Sequence, residues 1–218
     1  PDGALQQDAA AQQDAQTTGV NPPLGGSSGG TGGGTAPNGT SVTASGVTYI
    51  IIVPSSYSQA APNRLMIVYS GTEGGQTMAN NLMQVAAAYG LGDVIFAVLD
   101  GTTYYGNGGA GATVLDDVRT RYNIDNDRTF LLSESAGTSA GLQLGLDLRQ
   151  SFFAAYWAND VNTQATPAQT AAELGFAPWG NAGPGGDYVD ANAIVAGMQS
   201  AGYQLPADAP YSGTGSDT

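Results

Sequence analysis

The strongest constraint on this chain is an alternation. Short runs of almost purely apolar, β-branched or aromatic residues are followed by stretches with helical spacing. Residues 47–53 (VTYIIIV) stop at Pro54 and read as a strand. Residues 64–69 (RLMIVY), 93–99 (DVIFAVL), 128–132 (RTFLL) and 151–157 (SFFAAYW) read the same way, and near-continuous apolarity marks strands buried on both faces. In between, residues 77–89 set Met78, Leu82, Val85, Ala86 and Tyr89 on one side of a helix. Residues 112–122 bring Val114, Leu115, Val118 and Tyr122 into phase, and residues 136–148 form a helix rich in Ala, Gly and Leu. Residues 159–184 are loop-rich with one short helix near 167–174. Residues 189–202 are a helix stopped by Gly202, and Tyr203-Gln204-Leu205 begins a last strand. Such an order implies right-handed crossovers, hence an α/β fold with a mostly parallel sheet and helices on both faces.

The alternation starts only at Val47. Residues 1–46 form a low-complexity tail: Gln6-Gln7-Asp8-Ala9 repeats as Gln12-Gln13-Asp14-Ala15, Pro22-Pro23 follows, and residues 25–35 are almost all Gly, Ser and Thr. Too little of it is apolar to offset its ordering entropy, so it reads as a tether, or as an arm fixed by another subunit or by the domain's own surface. An arm adding to the sheet edge of a second copy would give a homo-oligomer or an open fibre. Residues 47–218 are then the folded domain.

Composition removes several functions. The chain has 5 Lys+Arg, all of them Arg, against 18 Asp+Glu, for a net charge of −13. Phosphate binding needs clustered cations, and only Arg119 and Arg121 are close in sequence, so nucleic acid is excluded. Without Cys there is no disulfide framework or thiolate chemistry, and without His or Lys the common bases of nucleophilic catalysis are missing. No apolar run approaches the roughly twenty residues of a membrane span. A chain beginning at Pro reads as processed or partial, with the expectation of a removed leader and a secreted or surface location in a bacterium. No cofactor or metal is called for: the acidic pairs Asp116-Asp117 and Asp125-Asn126-Asp127 follow no full Ca²⁺-loop pattern. Gly106-Asn107-Gly108-Gly109-Ala110-Gly111 lacks the Lys-Ser/Thr of a phosphate loop and reads as a flexible crevice loop.

One segment carries chemistry. Ser133-Glu134-Ser135-Ala136-Gly137 stands between a buried strand and a helix. A sharp strand-to-helix turn there would expose the Ser135 hydroxyl at the carboxyl edge of the sheet, where open α/β sheets bind ligands. The helix begins at that point, so the Ala136 N–H is placed to donate to an oxyanion.

With RLMIVYSGTEGG, DVIFAVLDG, RTFLLSESAGTSAG and GGDYVDANAIVAGMQSAGY, residues 47 onward resemble the α/β-hydrolase superfamily, in its secreted esterase and polyhydroxyalkanoate-depolymerase-like branch. The resemblance implies Ser135 as nucleophile on an ester substrate and Ala136 as one oxyanion donor. It implies a second donor in the Ser70-Gly71-Thr72-Glu73 turn, at Thr72 beside Gly71, and a triad acid at Asp187, with Asp160 as the other choice. The chain departs from the pattern in three places: Ser133 stands for the first Gly of G-x-S-x-G, Ser70-Gly71 stands for His-Gly, and the triad His is missing. Either the chain is clipped before that His, or it is a base-less hydrolase fold kept as a binding or self-assembling structural subunit, or a neighbouring chain supplies the base. A carboxylate such as Glu73 or Asp187 assisting Ser135 is a further alternative.

Overall fold

A computed structural model of the 218-residue chain describes residues 25–33, 38–186 and 188–212. Its strands are β1 (Thr40–Ala44), β2 (Val47–Ile52), β3 (Asn63–Tyr69), β4 (Ile95–Leu99), β5 (Ile124–Glu134), β6 (Ala155–Val161) and β7 (Trp179–Pro184). They form one seven-stranded sheet in the order β1-β2-β4-β3-β5-β6-β7. The β1–β2 and β2–β4 pairs are antiparallel, and every pair from β4 to β7 is parallel. The helices are α1 (Gly75–Val85), α2 (Gly108–Arg121), α3 (Thr138–Gln143), α4 (Ala171–Leu174) and α5 (Val189–Ser200).

Strand side chains alternate between two cores. On one face, Val68, Phe96 and Val98 pack with Met78, Ala79 and Leu82 of α1. On the other, Leu65, Ile67, Ile95, Ala97, Leu131 and Ala182 pack with Leu115, Val118, Leu142, Ile194 and Met198 of α2, α3 and α5. All five residues of β4 are buried, as a run of apolar residues covered on both faces must be. Each fully buried Leu, Ile or Val side chain contributes roughly 1.5–3 kcal/mol.

The structure departs from the sequence expectations at five places. Thr40–Ala44, counted with the tail, is an edge strand, joined to β2 by the two-residue turn Ser45-Gly46 with φ of 48° and 82°. Gly108–Gly111, read as a flexible crevice loop, is the first turn of α2, capped by the Asn107 side chain, which accepts from Ala110 N–H at 3.1 Å. Gly111 is small because Tyr69 Oη and Leu144 Cδ2 would lie 2.4 and 2.6 Å from a Cβ there. The strand read at 151–157 begins four residues later. Gln150–Phe152 makes a 3₁₀ turn, in which the buried Gln150 amide bonds Gln169 N–H, Gln169 C=O and Tyr203 Oη. Lastly, β7 (WGNAGP) lies inside the stretch read as loop. The expected last strand amounts to one parallel bridge, Gln204 to Trp179.

Part of the tail is pinned to the domain itself. Ser28 N–H donates to Ile124 C=O at 2.8 Å, and the Ser28 hydroxyl bonds Tyr122 C=O and Ile124 N–H at 2.9 and 3.0 Å. Gly25 N–H reaches Asp127 Oδ1 at 3.0 Å, and Thr31 N–H reaches Thr120 C=O at 3.2 Å. The strand edge of β5 and the end of α2 thus hold residues 25–33; residues 1–24 and 34–37 lie outside the described residues.

Candidate active site

Parallel strands deliver their carboxyl ends to one edge of the sheet. After β3 comes the Ser70–Gly75 turn, after β4 Asp100, after β5 Ser135, near the end of β6 Asp160, and after β7 Gly185-Gly186. Ser135 opens a 3₁₀ turn that runs into α3, and its φ is 45°. A non-Gly residue in the left-handed region costs about 1–3 kcal/mol, and such strain persists only where the surroundings enforce it. Here the enforcement is visible. Thr138, which is buried, donates its hydroxyl to Ser135 C=O at 2.7 Å. A Cβ on Gly137 would meet Ser70 C=O at 2.6 Å and Tyr69 Cβ at 2.7 Å, so only glycine lets the turn pack this close to β3. Ser135 and Ala136 both remain partly exposed. The Ala136 N–H lies in the first turn, where amides have no upstream carbonyl partner.

Ser133, in place of a glycine, is accommodated by its neighbours. Its Cβ faces Gly141, where any added Cβ would sit 2.4 Å away, and its hydroxyl bonds Tyr156 Oη at 2.8 Å. Ser70, in place of a histidine, is fully buried and its hydroxyl accepts Gly101 N–H at 3.1 Å. Both substitutions are built into the core rather than left as defects.

The Gly71-Thr72 turn lies against the elbow. A Cβ on Gly71 would come 3.2 Å from Ser135 Cβ and 3.3 Å from Glu134 Cγ. The turn closes through Gly74 N–H to Gly71 C=O at 3.3 Å. Thr72 is exposed within it, and Gly71 N–H donates to Glu73 Oε1 at 2.9 Å. Asp160 has a φ of 55° where the β6–β7 register shifts between Ala158 and Val161, a bulge that ends regular pairing. Asp187 lies outside the described residues. Its neighbour Gly185 follows β7 at this same edge, with its N–H donating to Val161 C=O at 2.9 Å.

Three groups that sequence reasoning passed over belong to this edge. Glu134 is pushed above the usual carboxyl range, first by burial, then by the charges of Glu73 and Asp160, against a favourable bond from Asn159. Asp100 loses solvation, but hydrogen bonds from Thr102, Thr103 and Gly75 outweigh that and hold its carboxyl at about 2. Asp100 therefore ties the loop after β4 to the start of α1. Asn159 bonds Glu134, and its Oδ1 is buried without a partner. A D-G pair at a strand end was the sequence signal for Asp100; nothing local signals Asn159.

The acidic pairs elsewhere are committed. Asp116 binds Arg149, Asp117 binds Arg121 and Tyr49 Oη, and Asp125 binds Arg128. Among the described residues no group of three or more His, Cys, Asp or Glu is arranged to hold a metal, and no helix is long and apolar enough to cross a membrane.

The chain is similar in fold to solved structures at low sequence identity. A thermostable esterase superposes with a TM-score of 0.53 at 14% identity, over 72% of this chain and 49% of that one. The fold is that of the α/β-hydrolases. LpqC, a poly(3-hydroxybutyrate) depolymerase from Bordetella parapertussis, gives 0.53 at 16% identity, covering 72% of this chain and 75% of the depolymerase. A ferulic acid esterase gives 0.52 at 11%, covering 76% and 86%. The chain spans about half the length of the first of these. No protein-family model and no curated protein matches the sequence.

Proposed function

We propose that the chain is a serine carboxylic-ester hydrolase of the esterase or depolymerase type. The observation that carries this is Ser135 held at a φ of 45° between β5 and α3, at the carboxyl edge of an α/β-hydrolase sheet. In this reading the Ser135 hydroxyl attacks an ester carbonyl and the Ala136 N–H, with the Thr72 N–H across from it, receives the developing oxyanion. The alcohol leaves with the serine proton, and water then releases the acid. Asp187 or Asp160 is the acid of the triad.

The base is the open element, because none of the 218 residues is His or Lys. Loss of one triad member typically leaves only the contribution of binding and the oxyanion hole. That count supports a second reading, a hydrolase fold retained for binding. In that reading the protein is secreted or surface-borne and self-associates through residues 1–46. Hydrolysis of short-chain nitrophenyl esters decides between the two. Release above the buffer rate that disappears in Ser135→Ala supports the esterase; equal release from both chains removes it.

A further inference from the structure

The turn after β3 carries a carboxylate that this chemistry does not use. Glu73 Oε1 accepts the Gly71 N–H at 2.9 Å. Its other oxygen lies on the side of Gly71 that faces the nucleophile. A Cβ built on Gly71 would stand 2.5 Å from Glu73 Oε2 and 3.2 Å from Ser135 Cβ, so carboxylate and serine flank one small space. Glu73 is exposed to solvent, but the turn that carries it is fixed on both sides. Gly74 N–H closes the turn onto Gly71 C=O, and Gly75 N–H donates to Asp100 Oδ2 at 3.1 Å.

We propose that Glu73 is a built-in anion beside the nucleophile, whose carboxylate holds the Gly71 N–H and fills the space an ester carbonyl must enter, so that Ser135 reacts at full rate only when this carboxylate is displaced or neutral. The inference rests on Ser135 being the nucleophile. Attack on the carbonyl carbon places negative charge on its oxygen, and the loop that should receive this charge carries the same sign. The charges around it do not offset it: Glu134 on β5 interacts with Glu73 and also with Asp160 on β6, and Asp100 after β4, which accepts from Gly75 N–H at the end of the same turn, is a further acid. The arginines are elsewhere, four of them paired with Asp93, Asp117, Asp125 and Asp116 and the fifth, Arg119, bonded to Asn126. The site therefore favours neutral or cationic acyl groups and resists anionic ones.

The test compares the full chain with E73Q and E73A, using a fluorophosphonate probe and intact mass as the readout. Ser135 Oγ forms the bond to phosphorus, fluoride leaves, and the serine proton passes to solvent. E73Q keeps an acceptor for Gly71 N–H and removes only the charge; E73A removes both. Labelling at neutral pH should be about tenfold faster in E73Q and at least as fast in E73A, the size expected for one partly screened charge at this range. Unchanged labelling overturns the inference. Slower labelling in both variants overturns it too, since the carboxylate would then be assisting Ser135 as a base. A second readout needs no reactivity. The Gly71 amide resonance of the parent should shift in E73A, which removes its acceptor, and move less in E73Q, which keeps one. A Gly71 amide unmoved in E73A overturns the inference whatever Ser135 does. A shifted amide with no labelling of any variant sinks the esterase reading and, with it, the rate effect claimed here.

Discussion

The two edges of the sheet are built by opposite means. At the amino edge, charge is neutralised locally: Arg128 pairs with Asp125 at 2.7 Å, Arg121 with Asp117 at 2.8 Å, and the glycine-rich segment 25–33 lies over the start of β5. At the carboxyl edge, Glu73, Asp100, Glu134 and Asp160 gather without an arginine partner, and two non-Gly residues, Ser135 and Asp160, have positive φ. The backbone there is packed to contact at Gly71, Gly101 and Gly137. One edge neutralises its charge in ion pairs, and the other relies on close packing that holds strain. Strain held in place by its surroundings is the observation from which the proposed reactive role of the carboxyl edge is argued.

The comparison breaks most sharply at Gly101. A Cβ there would stand 1.9 Å from Ser70 C=O and 2.7 Å from Gly137 Cα, both backbone. Gly101→Ala should cost about 3 kcal/mol or more, read as a shift in the denaturant midpoint. A loss under about 1 kcal/mol would show that the carboxyl edge is looser than described. Next comes Ser133→Ala, which leaves the buried Tyr156 hydroxyl without its 2.8 Å partner and should cost about 1–2 kcal/mol. By contrast, Arg128→Ala at the amino edge removes the exposed partner of the buried Asp125 and should cost about 1 kcal/mol, less in high salt.

The smallest effects sharpen the electrostatic side. Asp100 is depressed to about 2, so its contribution is present above its ordinary range and is lost as pH falls from about 4 toward 2. Solvent screening limits it to about 1 kcal/mol, which Asp100→Asn should abolish. Glu134 has the opposite sign. Its raised carboxyl makes ionisation costly in the fold, so Glu134→Gln should stabilise the chain slightly at neutral pH and have no effect once the carboxyl is protonated. A neutral-pH loss of stability in Glu134→Gln would mean that the acidic edge has a cation partner not seen here.

How much of this was legible in the sequence follows from which forces act locally. The strands β2 to β5 announced themselves because burial on both faces demands unbroken apolar runs, and the elbow because a Ser between small residues sat where such a run met a helix. β7 was invisible for the converse reason. Its residues are chosen for what presses on them: Gly180 for Met198 Sδ at 2.5 Å, and Gly183 for Asn159 Oδ1 and Tyr211, both at 2.9 Å. β1 hid in the tail's Ser/Thr/Gly composition, although a two-residue Ser-Gly turn between alternating residues was a hairpin signal. The start of β6 was misplaced because Phe152 and Phe153 are apolar without being in the sheet: Arg119 and Arg149 stack at 5.2 and 5.8 Å from the Phe152 ring. Of the site, Ser135 was readable from its place between a strand and a helix, and Gly71 and Thr72 from the resemblance; Gly71 does lie against Ser135, whereas the Glu73–Gly71 contact depends on a turn geometry that no spacing encodes.

The central claim is that the strained serine at the carboxyl edge is a nucleophile. Prolonged incubation of the chain with a fluorophosphonate, followed by peptide mapping, tests it directly. The account predicts a single adduct on the peptide containing Ser135, absent from Ser135→Ala and from unfolded protein. No adduct, or the same adduct on Ser135→Ala, would contradict it.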